Sequence, residues 1–387
     1  MAGWVLSVGV GADPVESLRL AVDDLSERFG DRYPNAGVFR ERLQLLESLD
    51  RNAADWESRF AALRREALLA NPLLDFEDLL VVRREVGEGG MNKAGLLGLP
   101  QNWQGNCALG KRAYRNEISR LSLQNGKLRP VFQPEREAFV GDLDLSFDGR
   151  KILFSMPGEK SWHLWEVGTD GRGPRQLTPE EAGVDHYDGC YLPDGRIIFG
   201  STAGFQGVPC VGGGSNVANL YQLDPRDGSV RQLCYDQDHN WNPVVMNDGR
   251  VMYVRWEYTD TAHYFTRLLF AMNPDGTNQA ALYGSNSYWP NSIFNPRPVP
   301  GDPNRVVGVV SGHHGEARMG ELVVFDLAKG RKEADGVVQR IPGRGREVEP
   351  VVKDQLVRGV WPRFLHPYPL SDSHFLVSCQ PHAKAPW

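Results

Sequence analysis

Two adjacent histidines, His313 and His314, lie in the glycine-flanked segment SGHHGEARMG and are the residues best suited to chemistry. Imidazole is the commonest metal ligand, and a pair of rings in such a loop serves neither core packing nor turn formation. His263 lies in the preceding inter-strand segment, and Glu257 ends the strand before it. Together the four offer three nitrogens and a carboxylate, a donor set for Zn²⁺ or another borderline divalent metal. Neighbouring residues of an extended strand point to opposite sides, so both histidines reach one ion only if the loop bends. Otherwise the same groups hydrogen-bond loop carbonyls and order a recognition surface.

A second set suits ligand binding: His186, Asp188, His239, Trp241, Arg255, Glu257 and Arg318, in the segments DHYDG, DHNWN, VRWEY and ARMG. Each has a purely architectural alternative. Asp142, Asp188 and Asn242 stand six residues before an Asp-Gly pair. Repetition at one register points to hydrogen bonds that tie successive repeats together. Arg255 and Glu257, either side of Trp256, also suit a buried ion pair. The chain has no GxSxG elbow, no GxxxxGK[ST] loop and no HExxH helix. Its five cysteines include no CxxC pair, so the covalent c-type haem motif CxxCH is absent. They read as small buried side chains, with one disulfide, Cys190–Cys210, open if the protein is exported.

The elements that must position these residues announce themselves by repetition. Residues 185–201 read DHYDGCYLPDGRIIFGS and residues 238–255 read DHNWNPVVMNDGRVMYVR, each followed by a second pair of apolar runs. A weaker copy begins LDLSFDGRKILFS at Leu143, and another follows around Asn295–Val310 and Glu321–Gly343. Four short strands per unit at roughly 40–50 residue spacing predict a β-propeller. Asp-Gly turns at Asp148, Asp194 and Asp248, and at Asp170, Asp227 and Asp275, share one face. The long segments, which carry five of the nine histidines, therefore share the opposite one.

The expected fold is mainly β, a propeller of six or more four-stranded blades with an N-terminal helical hairpin. Residues 1–75 are assigned to the helices, where Phe39, Leu43 and Leu46, then Trp56, Phe60, Leu63 and Ala67, form an apolar stripe. The stripe is expected to pack against something outside the hairpin, which breaks near Asp50–Ala54. Residues 76–387 are assigned to the propeller. Its sixth blade breaks off after Cys379, so the expectation is a chain lacking its natural carboxy terminus, or a ring closed by an N-terminal strand.

A net charge of −6 with no basic block argues against nucleic-acid binding. No apolar run approaches the ~20 residues of a transmembrane helix. The start, MAGWVLSVGVGADP, has no basic n-region, so it offers no convincing signal peptide.

The units YLPDGRIIF, MNDGRVMYVRWEY, MNPDGTN, YGSNSYWPN, GHHG and HPYPLSDSHFLVS resemble the middle domain of the hydrazine synthase alpha subunit family. The blade repeat also resembles TolB-type propellers. The resemblance runs from about Leu79 to the end and implies a periplasmic or secreted bacterial protein. It implies two functions. One is an accessory, non-catalytic propeller binding a small ligand or protein partner on its loop-rich face. The other is a metal- or haem-assisted redox subunit, from which this chain departs by lacking CxxCH.

Overall fold

Asp13 opens the first helix: its carboxylate accepts from the Val15 amide at 3.1 Å, with Pro14 in the first turn. Three helices follow, α1 (Pro14–Phe29), α2 (Ala36–Ser48) and α3 (Trp56–Leu69). The break expected near Asp50–Ala54 separates α2 from α3. Phe39, Leu43 and Leu46 pack with Phe60, Leu63 and Ala67 and with Val15, Leu18, Val22 and Leu25 of α1. The predicted stripe is therefore buried within a three-helix unit with its own core, rather than laid on another surface. The computed structural model describes residues 13–85, 97–112, 114–258, 267–343, 353–385 and 387. The chain divides into two compact units, one running to Val81 with Arg120–Arg129, the other comprising Val82–Ser119 and Pro130–Trp387.

The remainder is mainly β. β1 (Asp78–Arg83), β2 (Glu117–Ser122) and β3 (Leu128–Phe132) form a three-stranded sheet in that order. Next comes a four-stranded antiparallel meander of β4 (Gly141–Leu145), β5 (Lys151–Pro157), β6 (Trp162–Gly168) and β7 (Arg175–Gln176). A second contains β8 (His186–Tyr191), β9 (Ile197–Ser201), β10 (Asn219–Leu223) and β11 (Val230–Gln232). A third contains β12 (Asn240–Val245), β13 (Val251–Trp256), β14 (Arg267–Met272) and β15 (Ala280–Tyr283). The fourth contains β16 (Ser292–Pro298), β17 (Arg305–Ser311), β18 (Glu321–Asp326) and β19 (Val337–Ile341). One parallel pairing, Arg267 with Ser292, joins the last two. β20 (Arg363–Pro369) and β21 (Phe375–Gln380) form a final hairpin.

The middle strands are buried on both faces, which is why IIFGS, RLLFAM and RVVGVVS run nearly unbroken in apolar residues. Cys190, Ile198 and Leu220 of one sheet meet Val251, Tyr253 and Phe270 of the next. Each such side chain contributes roughly 1.5–3 kcal/mol by leaving water. The Asp-Gly turns take the positive φ that glycine permits, as at Gly195 (87°) and Gly249 (83°). Each aspartate accepts the amide two residues on, as Asp194 does from Arg196 at 3.1 Å. The first strands β4, β8, β12, β16 and β20 are successive neighbours.

Candidate functional site

Each of those first strands is broken by a bulge, and each bulge opens on a residue in the left-handed region. These are Asp142 (φ 52°), Asp188 (56°), Asn242 (50°), Asn295 (48°) and His366 (50°). Aspartate and asparagine tolerate that conformation better than other non-glycine residues, and a bulge re-aims the backbone. Here it aims the amide at the preceding sheet. The Asn242 amide donates to the Asp188 carboxylate at 2.6 Å, and the Asn295 amide to the Asn242 side-chain oxygen at 3.0 Å. The Asp188 amide donates to Ser155 Oγ at 2.9 Å. Asp188 and Asn242, each six residues before an Asp-Gly turn, thus stitch one sheet to the next. Burial, and then the charge of Asp142, push the Asp188 carboxyl up to about 7, against the Asn242 amide and Arg318.

Residues 97–112 lie over this row. Asn102, 1% exposed, donates from Nδ2 to the Gly312 carbonyl at 2.7 Å and accepts the Arg318 amide at 2.7 Å. Asn106 Nδ2 reaches Asp142 at 2.5 Å. The Gln104 carbonyl accepts from Trp241 Nε1 at 3.1 Å and from the Arg318 guanidinium. Gly105 leaves room for Tyr187, whose hydroxyl would lie 2.0 Å from a Cβ there.

Beneath this segment, arginines and aromatic rings alternate. His239 stacks on Trp241 at 4.7 Å, and the Arg318 guanidinium lies 4.9 Å from the Trp241 ring and 4.3 Å from Phe294. The Arg267 guanidinium lies 4.2 Å from the Trp256 ring and donates to His313 Nδ1 at 2.5 Å. Burial holds Arg318 down to about 10 and Arg267 to about 9, the latter pressed further by Arg318. His239 accepts the Ala218 amide at Nδ1 (3.1 Å); burial and then the two arginines hold its imidazole at about 3. Asp238 is 1% exposed and neither oxygen has a hydrogen-bond partner among the described residues. Burial pushes its carboxyl up to about 6 despite the pull of Arg267. The same orphaned state holds for His239 Nε2 and Arg318 Nε. Arg318 makes no ion pair within 4.0 Å among the described residues; aromatic faces and one carbonyl contact its guanidinium, and Asp188 and Asp142 act on it at longer range.

Against known proteins, no protein-family model and no curated protein matches the chain. Among solved structures, Kuenenia stuttgartiensis hydrazine synthase superposes with a TM-score of 0.56 at 17% identity, over 79% of this chain. The fold is hydrazine-synthase-like. The chain spans 43% of that hydrazine synthase chain, and the likeness concerns the fold alone. TolB from Acinetobacter baumannii (TM-score 0.39, 18% identity, 55% of this chain and 46% of that one) is also similar. So is a Mycobacterium tuberculosis puromycin-hydrolyzing peptidase (0.44, 14%, 71% and 37%).

Within this hydrazine-synthase-like fold His239, Trp241, Arg318, His313 and His314 are brought together, and Asp188 faces Arg318. Other predicted site residues are placed elsewhere. His186 is buried in its own sheet, 5.4 Å from Phe199, its imidazole held at about 4 by burial. Arg255 pairs with Asp236 at 3.1 Å and covers Phe270, a partner other than Glu257. Glu257 accepts from Ser285 Oγ at 3.2 Å. His263 falls outside the described residues. The five cysteines are all free: Cys190 is buried and Cys210 exposed, so the disulfide considered between them is not formed. Arg267, Asp354, Asn102 and Gln104 belong to the site without having been singled out. Of these only Arg267 left a trace, as a charge opening the apolar strand RLLFAM.

Proposed function

We propose that the chain is a closed β-propeller of six or more blades whose loop-rich face binds a small anionic ligand, such as a carboxylate. It acts as a non-catalytic, accessory binding protein of the bacterial envelope, the compartment the family resemblance implies. Arg318 carries the reading. A buried guanidinium with no carboxylate in direct contact is costly, Asp188 and Asp142 offsetting only part of that from longer range, and an anion seated on it would lower the cost. His239 Nε2 is a second donor nearby, and Trp241 and Trp256 supply flat apolar walls.

The two tryptophans make the test direct. Intrinsic fluorescence of the full chain, titrated with oxalate, succinate and inorganic phosphate, should show a saturable change for at least one anion. Arg318→Met should abolish it while the protein still melts cooperatively. No saturable change with any of the three, or an equal response in the variant, overturns the proposal. A metal-assisted activity is the second reading, favoured by the histidine pair treated next.

A further inference from the structure

We infer that His313, His314 and Asp354 form a site for one borderline divalent cation of the Zn²⁺ class. It adjoins the arginine-lined site without depending on it. One ligand atom from each residue lies within 4.8 Å of the others. Asp354 here takes the part that sequence reasoning gave to Glu257.

The turn after β17 solves the problem posed by adjacent histidines. The strand ends at Ser311, and Gly315 at φ 96° bends the chain. The two imidazoles then meet edge to face with centroids 4.2 Å apart, rather than on opposite sides. The backbone fixes the third donor. The His314 amide donates to the Asp354 carbonyl at 3.1 Å, while His314 Nδ1 and Asp354 Oδ1 stand 2.8 Å apart. Gly312 permits this approach, since a Cβ there would lie 2.7 Å from the Asp354 carbonyl and 2.8 Å from the Leu356 amide.

Two imidazoles with one carboxylate select Zn²⁺ or Co²⁺ over Ca²⁺ and Mg²⁺, which prefer all-oxygen sets. Metal bonds of about 2.0–2.2 Å need the donors drawn closer together, a side-chain adjustment open to His314 and Asp354, both partly exposed. Three protein ligands leave the fourth position to water or to a substrate group. Arg267 donates to His313 Nδ1, so His313 turns a lone pair to the ion by exchanging this contact: the neutral ring moves its proton from Nε2 to Nδ1 and the guanidinium shifts aside.

The test uses the full chain without a histidine tag, stripped with a chelator and titrated with ZnCl₂ by calorimetry. The expected result is one Zn²⁺ per chain and no heat from CaCl₂. Co²⁺ should give the visible bands of a low-coordinate nitrogen–oxygen site. His314→Ala and Asp354→Asn should each weaken Zn²⁺ binding about tenfold or more. Both side chains are exposed, so an unchanged melting temperature without metal shows that the fold is kept. Absence of saturable Zn²⁺ binding, or equal affinity in both variants, overturns the site. Neither result bears on the anion titration.

Discussion

Asp188→Asn isolates the charge at the centre of the bulge row. The asparagine keeps an oxygen for the Asn242 amide, so the exchange removes the ionisation while keeping an acceptor. An unfolded aspartate titrates near 3.9, whereas the folded Asp188 carboxyl stands at about 7. The folded state therefore binds this proton more tightly, and its stability falls as pH rises from about 4 to about 7. Three units at 1.36 kcal/mol each make a full cost of about 4 kcal/mol, of which roughly 2–3 kcal/mol develops between pH 5 and pH 8. At about 1–2 °C per kcal/mol for a unit of this size, the wild-type melting temperature should drop roughly 2–6 °C across that range because of this one group. Asp238, His239 and the other shifted groups titrate in both proteins, so the difference between the two curves reports Asp188 together with its interaction with Asp142. Melting followed by circular dichroism at pH 5, 6, 7 and 8 is the assay. Asp188→Asn should gain on the wild type steadily with pH. Parallel curves would refute the reasoning, because they would mean that the carboxyl ionises as it does in water.

Gly105→Ala would drive a methyl into the Tyr187 hydroxyl. It should cost about 1–3 kcal/mol and speed limited proteolysis within residues 97–112; unchanged protection would show that the segment is not seated as described. Leu63→Ala empties a fully buried position among the three helices and should cost about 2–5 kcal/mol. Backbone hydrogen exchange should then quicken in α1–α3, and a uniform increase across β4–β21 would contradict a helical unit with its own core.

The four-stranded repeats were legible because their signals are local. An Asp-Gly pair fixes a turn, and the apolar runs on either side fix the strands. The bulge residues were legible for the same reason, being repeated at a constant distance from those turns. What joins residues far apart was not. Asn102 meets Ser311 at 3.1 Å across 209 positions, and no period in the chain announces that contact. The helical stripe showed which face is buried but not by what, and the partner turned out to be the neighbouring helices. Among the residues proposed from their type, His239, Trp241, Arg318 and the His313–His314 pair are the ones the fold brings near one another. Arg255 lies apart from them because side chains alternate along a strand: Trp256 faces Arg267 and His313, so Arg255 points the other way, over Phe270.

The bulge row also has a direction. Ser155 accepts from Asp188, Asp188 from Asn242, and Asn242 from Asn295, so each acceptor precedes its donor in the chain. During synthesis from the amino terminus, every sheet would emerge already carrying the oxygen that its successor's amide must find. Until that successor arrives the oxygen stays hydrated and costs nothing. The row can therefore be laid down one sheet at a time, in the order of translation, with no carboxylate or amide buried ahead of its partner.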